Sequence, residues 1–221
     1  RRVSDVVDVW FDSGAMPFAQ THYPFAYAQN QKLSEYPADY IAEGMDQTRG
    51  WFYTLLAIGV LLKRGTPYRN VISLGLIRDK HGQKMSKSKG NIVEPFTILN
   101  KYGADPLRWY FYTINDPGEP KDFDEAEVGK AMRRLFLLLY NSYVFYETYK
   151  NVGNVRNVGD VRDVGNVGDA RDERGKPIKV LDEWILARLT ETAKTAAASL
   201  ERYDVVRAAK EIESLVDDLS R

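Results

Sequence analysis

A strand, a helix and a second strand follow one another in the first third of the chain, and this succession limits the fold more than any other feature. Residues 39–42 and 71–77 have the short, apolar composition of buried strands. Residues 47–63 between them predict a helix capped by Asp46, with a basic last turn. A connection of this length joins strands in parallel through a right-handed crossover, so the segment predicts a parallel α/β sheet.

Further elements are predicted on both sides of this segment. Residues 6–11 are rich in β-branched and aromatic side chains and predict another strand, which runs into a loop at Asp12, Ser13 and Gly14. The later part of the chain is helical, and the predicted helices cover residues 95–102 (closed by Gly103), 107–113 (capped by Asp105), 125–150, 181–200 and 205–219. The chain therefore predicts an α/β sheet domain followed by an all-α helical bundle.

Composition removes several classes of function. Lys+Arg and Asp+Glu number 31 each, so no global positive field indicates nucleic acid, and any RNA contact must come from a local patch. No cysteine is present, which excludes disulfides, thiolate catalysis and cysteine-held zinc, and only His22 and His81 remain as imidazole ligands. A metal held by side chains would therefore need carboxylates, and we predict no dedicated metal site. The longest apolar run, residues 55–62, is too short to span a membrane. We expect a cytoplasmic protein without a membrane partner.

One segment differs in composition from the rest. Residues 151–174 consist of triplets of the form Asn or Asp, then usually Val, then Gly or Arg. Such a low-complexity polar segment predicts a flexible linker between helices, and we assign it no other function.

A cluster of lysines is predicted where open parallel sheets bind ligands, beyond the carboxyl end of a strand. Residues 84–91 read Lys-Met-Ser-Lys-Ser-Lys-Gly-Asn, in a loop that also holds Arg78, Lys80 and His81. Several ammonium groups on a glycine-bounded loop are suited to grip a triphosphate and to neutralise charge on departing pyrophosphate. A solvated basic loop is the alternative that composition leaves open.

The order of residues in this loop resembles that of a known family. Lys-Met-Ser-Lys-Ser followed by Lys-Gly-Asn is similar to the ATP loop of class I aminoacyl-tRNA synthetases, and the Walker pattern of other nucleotide-binding proteins does not occur. Residues 8–14 (DVWFDSG), 43–52 (EGMDQTRGWF) and 103–108 (GADPLR) resemble the isoleucyl branch of that class. The resemblance covers about residues 5–150 and implies the second half of a Rossmann-like, parallel-sheet nucleotide-binding domain.

The resemblance implies roles for individual residues. Those expected to bind ATP are Lys84, Met85, Ser86, Lys87 and Ser88, with Lys84 and Lys87 as the catalytic pair. Those expected to hold the aminoacyl-adenylate, through its amino group and ribose hydroxyls, are Glu43, Gly44, Asp46 and Gln47. Trp10 and Trp51 are expected to wall the amino-acid pocket. Plainer roles also fit these residues, namely helix capping by Asp46 and core packing by the tryptophans.

The resemblance further implies a part of an isoleucine–tRNA ligase, which uses ATP with Mg²⁺ to form isoleucyl-adenylate and transfers isoleucine to tRNA(Ile). Residues 1–95 are expected to belong to the catalytic domain, 96–134 to a connecting helical region, and 135–221 to the start of the anticodon-binding domain. Four basic residues are candidate RNA contacts by their charge: Arg133, Arg134, Arg202 and Arg207.

Two features of this class are missing from the chain. Neither His22 nor His81 lies in a His-x-Gly-His-type motif, and nothing resembles the editing domain, so the chain alone is expected to be inactive. The parent protein is expected to be monomeric, whereas an uncovered sheet edge predicts self-association of the isolated chain. Two alternatives remain open: the valyl branch of the same class, and a non-catalytic module that binds tRNA or a protein partner.

Overall fold

The computed structural model describes residue 4 and residues 8–25, 36–150 and 180–220. In chain order its elements are α1 (Val9–Ala19), β1 (Ala38–Gly44), a 3₁₀ helix (Met45–Arg49), α2 (Trp51–Leu61), β2 (Tyr68–Leu74), β3 (Ile77–Arg78), a second 3₁₀ helix (Lys87–Lys89), α3 (Pro95–Tyr102), α4 (Ala104–Thr113), β4 (Lys121–Asp122), α5 (Glu125–Ala131), a π-helical turn (Met132–Leu137), α6 (Leu138–Tyr149), α7 (Val180–Leu200) and α8 (Val205–Ser220). The predicted linker, residues 151–174, lies outside the described residues.

The chain divides into two compact units. The first contains residues 1–77 and 117–120, and the second contains residues 78–116 and 121–221. The three functional regions expected from the sequence are a different kind of division and stay a prediction.

A parallel strand pair forms the centre of the first unit. β1 and β2 pair from Ala38 opposite Tyr68 to Gly44 opposite Leu74, and α2 lies between them in the chain. Ile41 of β1 is buried with Phe52 and Leu55 of α2, so the helix covers the strand through these apolar side chains. The predicted parallel strand–helix–strand arrangement is confirmed.

The predicted strand at residues 6–11 is wrong where the structure describes it, because residues 9–11 open helix α1. The carboxylate of Asp8 begins this helix by accepting a hydrogen bond from the backbone N–H of Trp10 at 2.7 Å. Gly14, predicted to lie in a loop, is buried inside the helix, where a Cβ would stand 2.8 Å from the backbone of Thr54 in α2. A cap and close helix packing thus outweigh the β propensity of the segment.

Helix α2 begins later and ends earlier than predicted, and Asp46 is not its cap. Asp46 lies in the preceding 3₁₀ helix, and Gly50 occupies the N-cap position of α2. The side chain of Gln47 takes over part of the capping function, since its Oε1 accepts a hydrogen bond from the backbone N–H of Trp51 at 2.9 Å. The helix ends at Leu61, so the two basic residues predicted for its last turn lie beyond it.

The predicted strand at residues 71–77 is in fact two strands. At Gly75, between β2 and β3, the backbone N–H donates to the carbonyl of Pro117 at 2.9 Å, and a Cβ there would collide with the backbone of Glu119. β3 then pairs with β4 in a separate two-stranded sheet. The lysine loop therefore follows β3 and does not follow the parallel sheet directly, which corrects that part of the prediction.

Helices α3, α4 and α5 enclose the core of the second unit. Its buried members are Ile98, Tyr110, Phe123, Val128 and Ala131. The Tyr110 hydroxyl donates to the carbonyl of Asp122 at 2.8 Å, which satisfies a polar group inside this core. Helix α3 is closed by Gly103 as predicted.

Helix α4 starts earlier than predicted. Gly103 stands at its N-cap, with φ 85°, and Asp105 lies inside the first turn, where it forms an exposed ion pair with Arg108. Asp105 is therefore not the cap. A carboxylate in the first turn is nevertheless favourable beside the positive end of the helix dipole.

The long helix predicted at residues 125–150 is confirmed as α5, the π-helical turn and α6 in direct succession. Its apolar side chains are buried at Val128 and Leu135, but exposed at Leu139 and Tyr143. The helices predicted at 181–200 and 205–219 are confirmed as α7 and α8 to within one residue at each end.

Candidate functional site

Four residues predicted to bind the adenylate lie together where β1 ends. Glu43 is exposed, and one of its carboxylate oxygens accepts a hydrogen bond from the backbone N–H of Gly44 at 3.2 Å. The Asp46 carboxylate accepts from Gln47 Nε2 at 3.1 Å, and its other oxygen stands 2.6 Å from where a Cβ of residue 44 would lie. The absence of that Cβ leaves room for the Asp46 carboxylate beside the chain.

Trp51 is held in place by a hydrogen bond to a backbone carbonyl of the neighbouring helix. Pro17 has no N–H, so it leaves the carbonyl of Ser13, four residues earlier in α1, without its helical donor. The indole N–H of Trp51 donates to that carbonyl at 3.1 Å. The ring also packs against the buried cluster of Ile41, Phe52 and Leu55, so Trp51 has the core contacts of the plainer interpretation as well as its place beside the strand end.

Trp10 lies at the exposed end of α1 and belongs to the same neighbourhood. Its side chain is 45% exposed, and its ring edge comes within 3.2 Å of the place where a Cβ would stand on Gly50. Gln47 Oε1 lies 2.5 Å from the same place. The two tryptophans and the residues at the end of β1 therefore form one surface of the first unit, partly apolar and partly carboxylate and amide.

The lysine loop lies in the second unit, and two side chains hold its backbone. Asp79 Oδ1 accepts hydrogen bonds from the backbone N–H groups of His81 at 2.9 Å and Gln83 at 2.8 Å. Asp79 Oδ2 accepts from Asn91 Nδ2 at 2.8 Å, and Asn91 Oδ1 accepts from the backbone N–H of Ser86 at 2.9 Å. The loop thus has a defined base from which its basic side chains project.

The residues predicted to bind ATP occupy different environments along this loop. Lys84, Lys87 and Ser88 are exposed. Met85 is half-buried against the core of the second unit, so it anchors the loop from below. Ser86 Oγ and Ser88 Oγ lie 3.2 Å apart, within hydrogen-bond distance.

An ion pair fixes the start of the loop. Arg78, the last residue of β3, donates through Nε and Nη2 to the two carboxylate oxygens of Asp122 at 2.7 and 3.1 Å. This bidentate pair joins β3 to β4 in addition to the backbone hydrogen bond from Phe123 N–H to the Arg78 carbonyl. Arg78 is therefore engaged in positioning the loop.

The electrostatic character of the loop is also shaped by Asp79. The hydrogen bond from Asn91, together with those from the backbone amides of Gln83 and His81, holds the pKa of the Asp79 carboxyl below its ordinary value. The hydrogen bonds of the loop therefore favour the carboxylate form of Asp79.

The two histidines belong to different units of the chain. His22 lies beside the ring of Phe25, and the backbone N–H of His81 binds Asp79. Within residues 8–25, 36–150 and 180–220 we find no group of three His, Asp or Glu side chains suited to a metal ion. In the same residues no helix has the length and apolarity needed to cross a membrane.

The four arginines expected to contact RNA are all exposed: Arg133, Arg134, Arg202 and Arg207.

The structural roles of Asp79 and of Asn91, the last residue of the loop motif, were not predicted from the sequence, and neither was the pair of Arg78 with Asp122. The first two lie 12 residues apart around a glycine-bounded loop, and an Asp and an Asn at the two ends of such a loop are a usable signal. The Arg78 to Asp122 pair spans 44 residues, so only tertiary structure reveals it.

Comparison with known proteins identifies a family and several relatives of this chain. The family model of the tRNA synthetases class I (I, L, M and V) matches residues 1–123. Among curated relatives, the isoleucine–tRNA ligase of Clostridium novyi is 44% identical over 99% of this chain and 20% of its own length. Isoleucine–tRNA ligase 2 of Bacillus cereus is 45% identical over 99% of this chain and 20% of the relative. The chain thus spans about a fifth of the length of these relatives.

Solved structures show the same fold at lower identity. The ternary complex of LeuRS, tRNA and LeuAMS from Agrobacterium radiobacter K84 matches with a TM-score of 0.70 and 20% identity, over 99% of this chain and 27% of that one. Methionyl-tRNA synthetase of Mycobacterium tuberculosis with methionyl-adenylate matches with a TM-score of 0.68 and 20% identity, over 95% and 38%. The predicted fold class, a part of a Rossmann-like α/β domain followed by helices, is confirmed. The chain belongs to the class I tRNA synthetases, the family of the I, L, M and V enzymes.

Proposed function

We propose that this chain carries the ATP loop and the aminoacyl-adenylate site of an isoleucine–tRNA ligase. The observation that carries the proposal is the lysine loop itself, in which Lys84 and Lys87 are exposed while the backbone beneath them is held at both ends. The parent enzyme would activate isoleucine with ATP and Mg²⁺, then transfer it to tRNA(Ile). Identities of 44 to 46% with isoleucine–tRNA ligases support the choice of isoleucine.

The lysines act on the phosphates in this proposal. Activation displaces pyrophosphate at the α-phosphate of ATP, and negative charge increases on the departing group. Lys87 makes the main ATP contact and Lys84 supports it, both as mobile point charges on a loop of fixed base.

The residues after β1 hold the adenylate. The exposed carboxylate of Glu43 is suited to accept hydrogen bonds from the amino group of isoleucine. Asp46 and Gln47 offer carboxylate and amide groups to the ribose hydroxyls, while Gly44 allows a ligand to approach the backbone closely.

Trp10 and Trp51 form the walls of the amino-acid pocket. Their fixed neighbours, Ser13 for the Trp51 indole and Gly50 for the Trp10 ring edge, support a rigid apolar surface. Such a pocket separates isoleucine from valine by only about 1–3 kcal/mol, a limit for which isoleucyl enzymes are themselves the standard example. Competition between the two amino acids therefore tests the assignment directly.

The helical part contacts tRNA(Ile) in this proposal, with Arg133, Arg134, Arg202 and Arg207 as candidate contacts. Their exposed positive charge supports binding to phosphates. We place the parent enzyme in the cytoplasm as a monomer. Because no His-x-Gly-His-type motif occurs in the sequence, we expect the 221-residue chain alone not to form isoleucyl-adenylate.

The proposal is tested by isothermal titration of the full-length protein with a non-hydrolysable isoleucyl-adenylate analogue and its valyl counterpart. We expect the isoleucyl analogue to bind more tightly, and Glu43→Ala to weaken it by about 10-fold to 100-fold through loss of a charged hydrogen bond. Lys87→Ala is expected to weaken ATP more than the analogue, which has no pyrophosphate. Tighter binding of the valyl analogue, or affinity unchanged by Glu43→Ala, would contradict the proposal.

A further inference from the structure

The two side chains at the base of the lysine loop interlock, and the proposed ATP and adenylate contacts use neither of them. Asp79 is the first residue after β3, and Asn91 follows Gly90, where the loop ends. Asn91 Nδ2 donates to Asp79 Oδ2 at 2.8 Å, so the pair closes the 13-residue segment from 79 to 91 into a ring.

This pair also satisfies the backbone of the loop. Asp79 Oδ1 accepts hydrogen bonds from the backbone N–H groups of His81 and Gln83, at 2.9 and 2.8 Å. Asn91 takes the N–H of Ser86 at 2.9 Å and donates to the carbonyl of Lys84 at 3.3 Å. The two backbone groups held by Asn91 belong to residues on either side of Met85, which is packed against the core. The backbone on which Lys84 and Lys87 depend is therefore determined by Asp79 and Asn91.

We propose that Asp79 and Asn91 are positioning residues for ATP activation, which hold the loop backbone so that the lysine ammonium groups meet the triphosphate. The inference rests on the proposed function and names a further part of the same site. A lysine side chain has four rotatable bonds, so a fixed backbone origin limits the volume that its ammonium group samples. Small displacements of positioned groups reduce rates strongly, which makes the base of the loop as important as its charges.

The donor and acceptor pattern of the pair allows a reciprocal test. In Asn91→Asp, two carboxylates face each other. In Asp79→Asn, the new amide group must direct its N–H donors at other donors. These are either the amide of Asn91 or the backbone N–H groups of His81 and Gln83. In the double variant Asp79→Asn/Asn91→Asp the amide and the carboxylate exchange places. The amide–carboxylate hydrogen bond is then restored, and residue 91 still offers an acceptor to Ser86 N–H. At the Lys84 carbonyl, the amide donor is replaced by a carboxylate oxygen, as it also is in Asn91→Asp alone.

The experiment measures isoleucine-dependent pyrophosphate exchange and thermal unfolding of the full-length protein. We expect each single variant to lower kcat/KM for ATP by about 10-fold to 100-fold, with KM for isoleucine changed less than about 2-fold. The double variant is expected to recover at least about 5-fold relative to the weaker single variant. Matched controls make the same chemical changes on exposed helical positions of the second unit, Asp105→Asn and Asn100→Asp, and should leave kcat/KM unchanged.

A second readout follows the loop without activity. Trypsin cleavage after Lys84, Lys87 and Lys89 should accelerate in both single variants and slow again in the double variant, because only a loosened loop fits a protease. This measurement decides the matter for any variant whose activity is too low to measure.

The possible outcomes separate the two proposals. Absence of isoleucine-dependent exchange in the unmodified full-length protein overturns the proposed function and this inference with it. An active protein whose single variants match the controls in both readouts overturns the inference alone. Two further results would also overturn the inference. One is a double variant whose kcat/KM is no higher than that of the less active single variant. The other is that the single variants lower the melting temperature and the affinity for isoleucine as well as the affinity for ATP, because Asp79 and Asn91 would then support the fold in general.

Discussion

At the scale of single residues, the indole N–H of Trp51 replaces a backbone hydrogen-bond donor that is missing from α1. Pro17 removes one donor from the Ser13 carbonyl, and the indole of Trp51 supplies another at 3.1 Å. We expect Trp51→Phe to lower the free energy of unfolding by about 1–3 kcal/mol, because a half-buried carbonyl loses its partner and the core loses volume.

Adding Pro17→Ala to Trp51→Phe returns a backbone N–H to the Ser13 carbonyl. It should therefore stabilise the Trp51→Phe protein by about 0.5–1 kcal/mol more than it stabilises the unmodified protein, as measured by urea unfolding of the four members of this cycle. Equal effects of Pro17→Ala in the two backgrounds would show that the indole contact is not a substitute for the missing helical hydrogen bond.

At the scale of elements, the crossing of α1 over α2 depends on one residue. Gly14 is buried where a Cβ would lie 2.8 Å from the carbonyl carbon, the carbonyl oxygen and the Cβ of Thr54. Ala has a helix propensity about 1 kcal/mol better than Gly, yet we expect Gly14→Ala to destabilise the protein by about 1–3 kcal/mol, because the helices must separate.

The matched control for Gly14→Ala is Met16→Ala on an exposed position of the same helix, for which a change below about 0.5 kcal/mol is expected. Denaturant unfolding measures both variants. A more stable Gly14→Ala protein would mean that propensity, and not the closeness of the two helices, governs this position.

The elements also show what sequence was able to predict. The parallel pair of β1 and β2 around α2 follows from local periodicity and from the length of the connection. The start of helix α1 is wrongly predicted as a strand because the five Val, Trp and Phe residues of segment 6–11 carry no information about Thr54, which is 40 positions away from Gly14. The Asp8 cap was a local signal for the helix, and the apolar composition after it obscured that signal.

The candidate site, like the elements, is predicted from the sequence only in part. The residue types of the loop and of the end of β1 are visible as motifs, and the structure places Glu43, Gly44, Asp46 and Gln47 together. Which side chain caps a helix, as Gln47 does in place of Asp46, depends on where the backbone turns at Gly50. Capping by one or the other of two neighbouring polar residues differs in free energy by only about 1–2 kcal/mol, and residue propensities do not distinguish the two.

At the scale of the whole molecule, large apolar side chains stand exposed on both units. In the first unit Val71 of the parallel strand pair is 42% exposed, and in the second unit Phe145 of α6 is 67% exposed. Parallel strands are normally covered on both faces, and unpaired strand edges template further pairing. We expect the isolated 221-residue chain to self-associate at micromolar concentration through the β1 and β2 strands.

Lysine on an edge strand suppresses such pairing, so Val71→Lys should shift the chain toward monomer in sedimentation velocity or in gel filtration with light scattering. Phe145→Lys adds the same charge to an exposed position of α6 and serves as the matched control, because a helix offers no strand edge. We expect it to leave the association largely intact. If Phe145→Lys dissolves the oligomer while Val71→Lys does not, the aromatic surface of α6 is the contact, and the prediction of edge pairing is wrong.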